Sequence, residues 1–139
     1  PLEVQELKNR FPGLKTMQAI PVLSGVPLEE QKIMQYIKEY EPVSDFFLID
    51  TKAPMAGDIG ATGLTHDREI DRVIVESTKV PCIIAGGLDA DNVAEAIHVT
   101  HPYGVDSFSL TNYDDERADT LHCKDPAKVK AFIEASQNA

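Results

Sequence analysis

Phe46-Phe47-Leu48-Ile49-Asp50-Thr51 is the stretch on which the reading of the fold turns. Four apolar residues follow one another without alternation, as expected of a parallel strand covered on both faces, and the run stops at a carboxylate. Cys82-Ile83-Ile84-Ala85 repeats the pattern and stops at Gly86-Gly87. A strand that ends abruptly in polar or glycine residues presents them at the end of a parallel sheet where α/β proteins bind ligands.

Helical patterns flank both runs. Before the first, Val4, Leu7 and Phe11 recur at helical spacing and meet Pro12-Gly13, a stop signal, and Thr16 to Ile20 reads as a short strand. Pro27 then opens a helix carrying Ile33, Met34, Ile37 and Tyr40 on one stripe, with Glu29, Glu30 and Gln31 near its positive end and a stop near Pro42. Between the runs, Asp67 is placed to cap a helix bearing Ile70, Val73 and Ile74. Beyond the second, Asp89 caps a helix with Val93, Ala94 and Ile97. Val105 to Leu110 reads as a last strand, and Asp125-Pro126 starts a helix with Val129, Phe132 and Ile133. The order α-β-α-β-α-β-α-β-α implies parallel strands joined by right-handed crossovers, in an open doubly wound sheet or in part of a closed barrel.

The 139 residues form one α/β unit, 1–139, without a linker or repeat. A formal charge of −10, from 23 acidic and 13 basic side chains, argues against nucleic acid or an anionic membrane as partner. No window approaches the roughly eighteen apolar residues of a spanning helix, and the first residues lack signal-peptide order, so a cytoplasmic location is expected. Cys82 and Cys123 form no C-x-x-C pair and read as free thiols. His122, Cys123 and Asp125 lack a fourth ligand at standard spacing, so neither a metal nor another cofactor is expected.

Three strand ends converge on one expected rim: Asp50-Thr51, Gly86-Gly87 and Thr111-Asn112. Gly60-Ala61-Thr62-Gly63 offers backbone amides without side-chain obstruction, and Gly86-Gly87 lets the backbone approach a ligand just before a helix. Gly60, Ala61, Thr62, Gly63, Gly86, Gly87, Thr111 and Asn112 are therefore the expected phosphate-binding residues.

Taken in order and spacing, Phe47 to Thr51, Gly60 to Gly63, Ile84 to Leu88, Asn92 to Ile97, Gly104-Val105-Asp106-Ser107 and Lys124-Asp125-Pro126 resemble the phosphoribosylanthranilate isomerase family. The resemblance implies a (β/α)8 TIM barrel, of which this chain supplies about the last four β/α units plus a preceding helix, or about two-thirds of a member. It also implies a reaction: an Amadori rearrangement of an N-linked phosphoribosyl amine to a 1-amino-1-deoxyketose phosphate, in tryptophan biosynthesis.

By the same resemblance Asp50 is the catalytic acid, holding its proton near neutral pH. The family's base, a cysteine ending its first strand, belongs to a region outside this chain, so the amino-terminal barrel portion or a second copy is the expected partner beside the phosphorylated substrate. Leu64 stands where the family often has lysine, and Leu110 where it has a phosphate-binding glycine. The competing reading is a non-catalytic subunit that binds a phosphorylated metabolite or serves assembly. A Schiff-base aldolase is disfavoured because no lysine is expected at a strand end.

Overall fold

The computed structural model describes residues 1–52, 67–115 and 123–139. Four strands, β1 (Met17–Leu23), β2 (Phe46–Lys52), β3 (Cys82–Ile84) and β4 (Gly104–Val105), form one sheet in the order β1-β2-β3-β4. All three pairings are parallel. The helices are α1 (Leu2–Arg10), α2 (Ile33–Tyr40), α3 (Arg68–Ser77), α4 (Val93–Thr100) and α5 (Pro126–Gln137).

Side chains alternate across a strand, and in β2 burial alternates with them: Phe47, Ile49 and Thr51 are fully buried, whereas Phe46, Leu48, Asp50 and Lys52 are half-buried. Phe47 and Ile49 join Ile20 and Val22 of β1, Ile84 of β3, Ile33 and Ile37 of α2, Ile70 and Ile74 of α3, and Val93 of α4 in one core. Each such large aliphatic or aromatic side chain contributes about 1.5–3 kcal/mol by leaving water. Strands covered on both faces were expected, but within the described residues the helices cover one. The other face, with Leu48 and Ile83, is only half-covered.

Helix starts follow the caps. Asp67 accepts from the Glu69 amide at 2.9 Å and Asp125 from the Ala127 amide at 2.8 Å, each satisfying a first-turn donor of its helix. Asp89 accepts from the amides of Asp91 and Asn92 and shapes the turn entering α4.

Three elements differ from expectation. The segment after Pro27 is not one helix: Leu28–Glu30 is a 3-10 turn and α2 starts at Ile33. Gln31 separates them, because its side chain accepts from the Leu23 amide at 2.8 Å and donates to the Val26 carbonyl at 2.7 Å, which holds its backbone extended. β1 runs past Ile20 to Leu23 through Pro21, and β1 lies at the edge of the sheet formed by the described residues, where a missing ladder donor is tolerated. β4 stops at Val105 instead of Leu110, and Ser109–Thr111 coil into a 3-10 turn.

The apolar stripe of α1 finds no core. Leu2, Leu7 and Phe11 are exposed, and the helix is tied down by Lys8, whose ammonium donates to Asp45 at 2.7 Å.

Candidate active site

Asp50 and the Gly86-Gly87 turn stand at the same end of the sheet. Ile49 pairs with Ile84, and the Ala85 amide donates to the Ile49 carbonyl at 2.7 Å, so the residues that follow emerge side by side. A Cβ built on Gly86 would lie 2.1 Å from the Thr51 hydroxyl oxygen. Only glycine fits there, and its φ of +82° would strain any other residue. Gly87 has a φ of +66° as well.

The Asp50 carboxylate is half-buried on the open face of the sheet and accepts from the Thr51 amide at 2.8 Å. Strand alternation puts Lys52 on the same face, two residues on, and β2 ends there. A lysine at a strand end was not expected, since the apolar run stops at Ile49. Pairing with β1, Leu23 against Lys52, carries the strand further than its hydrophobicity does.

The turn beyond β3 is held from outside. Asn92 donates to the Gly87 carbonyl at 2.8 Å, and the Ser107 hydroxyl donates to the Leu88 carbonyl at 2.6 Å. Arg68 donates to the carbonyls of Ala85 and Gly86. Sequence reasoning missed Arg68 and gave Asn92 no role in the turn. An arginine at the first position of a helix, with an acid three residues later, was the available signal.

Thr111 and Asn112 do not sit at a strand end. They close the 3-10 turn beyond β4 and are buried, at 3% and 5% exposure. The Thr111 hydroxyl lies 3.1 Å from both the Phe108 carbonyl and the Lys124 ammonium, and Asn112 Oδ1 has no partner among the described residues. Gly60, Ala61, Thr62 and Gly63 lie outside the described residues, as do Leu64 and His122.

Cys82 has no place at this rim. It begins β3, at the far end from Asp50, is buried in the core, and donates to the Val80 carbonyl. Burial, with Asp71 nearby, pushes its thiol up to about 11, so it stays protonated near neutrality.

A parallel α/β sheet with an acid and a double-glycine turn at the carboxyl ends of adjacent strands is the arrangement of TIM-barrel-type enzymes. The chain aligns with the solved structure of N-(5'-phosphoribosyl)anthranilate isomerase from Pyrococcus furiosus with a TM-score of 0.69 at 28% identity, over 100% of this chain and 58% of that one. The Thermococcus kodakaraensis phosphoribosyl anthranilate isomerase gives 0.68 at 27%, over 100% and 59%.

Residues 5–135 match the model of the N-(5'phosphoribosyl)anthranilate (PRA) isomerase family, and the chain belongs to that family. N-(5'-phosphoribosyl)anthranilate isomerase 2 of Methanosarcina mazei is 36% identical over 132 residues, 95% of this chain and 53% of the relative. The chain thus spans about half the length of the curated relatives it matches, less than the two-thirds that the resemblance implied.

Proposed function

We propose that this chain carries the acid and the phosphate cradle of a phosphoribosylanthranilate isomerase. Asp50 protonates the ribose ring oxygen of the N-linked phosphoribosyl amine and opens the ring to an imine. A base then removes the C2 proton, and the product is the 1-amino-1-deoxyketose phosphate of tryptophan biosynthesis. Gly86 and Gly87, with Gly60 to Gly63, bind the phosphate through backbone amides.

The observation that carries this reading is the contact between Gly86 and Thr51, the residue after Asp50, which keeps the acid and the double-glycine turn within one ligand's length. General acid catalysis needs a carboxyl within hydrogen-bond reach of the leaving oxygen, while phosphate binding fixes the substrate in that pose.

Residues 1–139 act as one unit supplying about four β/α units of a cytoplasmic barrel, and the base comes from the remainder. Support for this comes from the half-covered sheet face, the exposed stripe of α1, and the lengths of the relatives. The remaining barrel strands, from the same polypeptide or a second copy, would cover them. No observation favours a non-catalytic subunit, and the relatives described above bear the isomerase name.

Complementation tests the proposal. The gene encoding this chain, in its own reading frame, restores growth without tryptophan to a strain lacking the isomerase, and Asp50→Asn abolishes it. In the purified protein the same change lowers kcat by about a hundredfold or more, the usual share of a general acid. Growth with asparagine at position 50 would remove Asp50 from the mechanism.

A further inference from the structure

Arg68 is the first residue of α3, where the free amides of the first turn make a cation unfavourable. Its side chain is nevertheless only 19% exposed, and its guanidinium spans three acceptors. Nη1 donates to the Asp71 carboxylate at 2.9 Å and to the Ala85 carbonyl at 3.0 Å, while Nη2 donates to the Gly86 carbonyl. Asp71 is fully buried. A buried ion pair of this kind is weak evidence for stability, because desolvation offsets much of its attraction. Its placement therefore points to another role.

We propose that Arg68, seated on Asp71, is the positioning residue of the anion site: by gripping two consecutive carbonyls it turns the amides of the double-glycine turn toward the ligand. The inference rests on the reading that these amides hold the substrate phosphate. In a trans peptide the C=O and N–H point in opposite directions, and the described chain has no cis bond. Anchoring the carbonyls of Ala85 and Gly86 on the guanidinium thus directs the amides of Gly86 and Gly87 away from it. Asn92 anchors the Gly87 carbonyl and does the same for the Leu88 amide. None of these three amides donates to an acceptor among the described residues.

Two successive glycines at positive φ have more conformational freedom than any other pair, so an unanchored turn would present its amides in the binding geometry only part of the time. A guanidinium is suited to hold it because its donors form a planar fork, whereas an ammonium offers one point of charge. Charge on the donor also polarises each peptide and makes its N–H a better partner for an anion.

Inorganic phosphate is the probe, used as a competitive inhibitor of the full-length active protein. Arg68→Met weakens phosphate and raises substrate KM about ten- to a hundredfold, the weight of a lost charge-assisted hydrogen bond or two. In the same variant kcat stays within about threefold, the reverse of the Asp50→Asn pattern. Arg68→Lys restores part of the loss. Because Arg68→Met takes a cationic partner from the buried Asp71 carboxylate, the double variant Arg68→Met with Asp71→Leu removes both charges and keeps the fold. It too is expected to lose phosphate affinity, and a folded double variant that binds phosphate like the parent overturns the proposal. In the parent, phosphate should shift the amide NMR signals of Gly86 and Gly87. Absence of both that shift and inhibition in the parent would instead sink the phosphate reading itself, leaving Arg68 without an anion site to position.

Discussion

The ends of β2 and β3 and the end of β4 lie on one side of the sheet, yet they are built in opposite ways. Beyond β3 the carbonyls of the turn are gripped by side chains behind it, its amides have no partner among the described residues, and Asp50 of β2 stands half-buried beside them. Beyond β4 the chain closes on itself. The Lys124 ammonium donates to the Phe108 carbonyl and the Thr111 hydroxyl and lies 4.4 Å above the Phe108 ring, and the Thr111 carbonyl accepts from Asp125. A strand end becomes available to a ligand when its carbonyls are satisfied from outside and its amides are not. Where the turn satisfies its own groups, the same kind of residue makes structure.

The sharpest way to break this contrast is Gly86→Ala. The added methyl meets the Thr51 hydroxyl and the backbone must keep a positive φ, so a loss of about 3 kcal/mol in unfolding free energy is expected in urea titrations. A loss below about 1 kcal/mol would mean that the turn relaxes without penalty, and the close approach to Thr51 would lose its meaning.

A milder change tests the other region. Lys124→Met removes the pin under the Ser109–Thr111 turn and should lower stability by about 1 kcal/mol while leaving inhibition by inorganic phosphate unchanged. If phosphate binding fell by more than about threefold, the β4 end would belong to the cradle after all.

The smallest effect is expected at the opposite end of the sheet, where Asp45 precedes β2. Hydrogen bonds from Lys8, then from the Thr16 amide and Lys15, hold its carboxyl well below the usual carboxylate range. A folded-state pKa below the unfolded one stabilises the protein above the unfolded value, about 3.9, and that contribution fades as pH falls through it toward the folded value. Asp45→Asn should therefore lower Tm slightly at pH 6 and by progressively less below pH about 4, with phosphate inhibition untouched. A Tm difference that stays constant from pH 7 to pH 3 would remove the ionised carboxylate as its cause.

Asn112 and Gly86 were read from the sequence by the same rule, polar or small at a strand end, and the rule served only the second. Gly86 follows a run, Cys82 to Ala85, whose hydrophobicity and pairing with β2 stop together. Before Asn112 the apolar residues Phe108 and Leu110 look like strand, but Val105 is the last residue in the ladder and the chain then coils. Arg68 is a related case: its spacing to Asp71 is legible, but its other partners, at Ala85 and Gly86, are main-chain carbonyls from a distant segment, and such acceptors leave no mark on composition or spacing.

Hydrophobic runs and caps are local, so the sequence by itself determined the alternation of helices and strands, the parallel sheet, the family and the nomination of Asp50 and Gly86-Gly87. Strand limits, the burial of Thr111 and Asn112, the core position of Cys82 and the grip of Arg68 on the glycine turn were decided by tertiary structure alone. These depend on which backbone groups find partners across the sheet, and pairing between residues far apart in the chain is a property of the packed molecule.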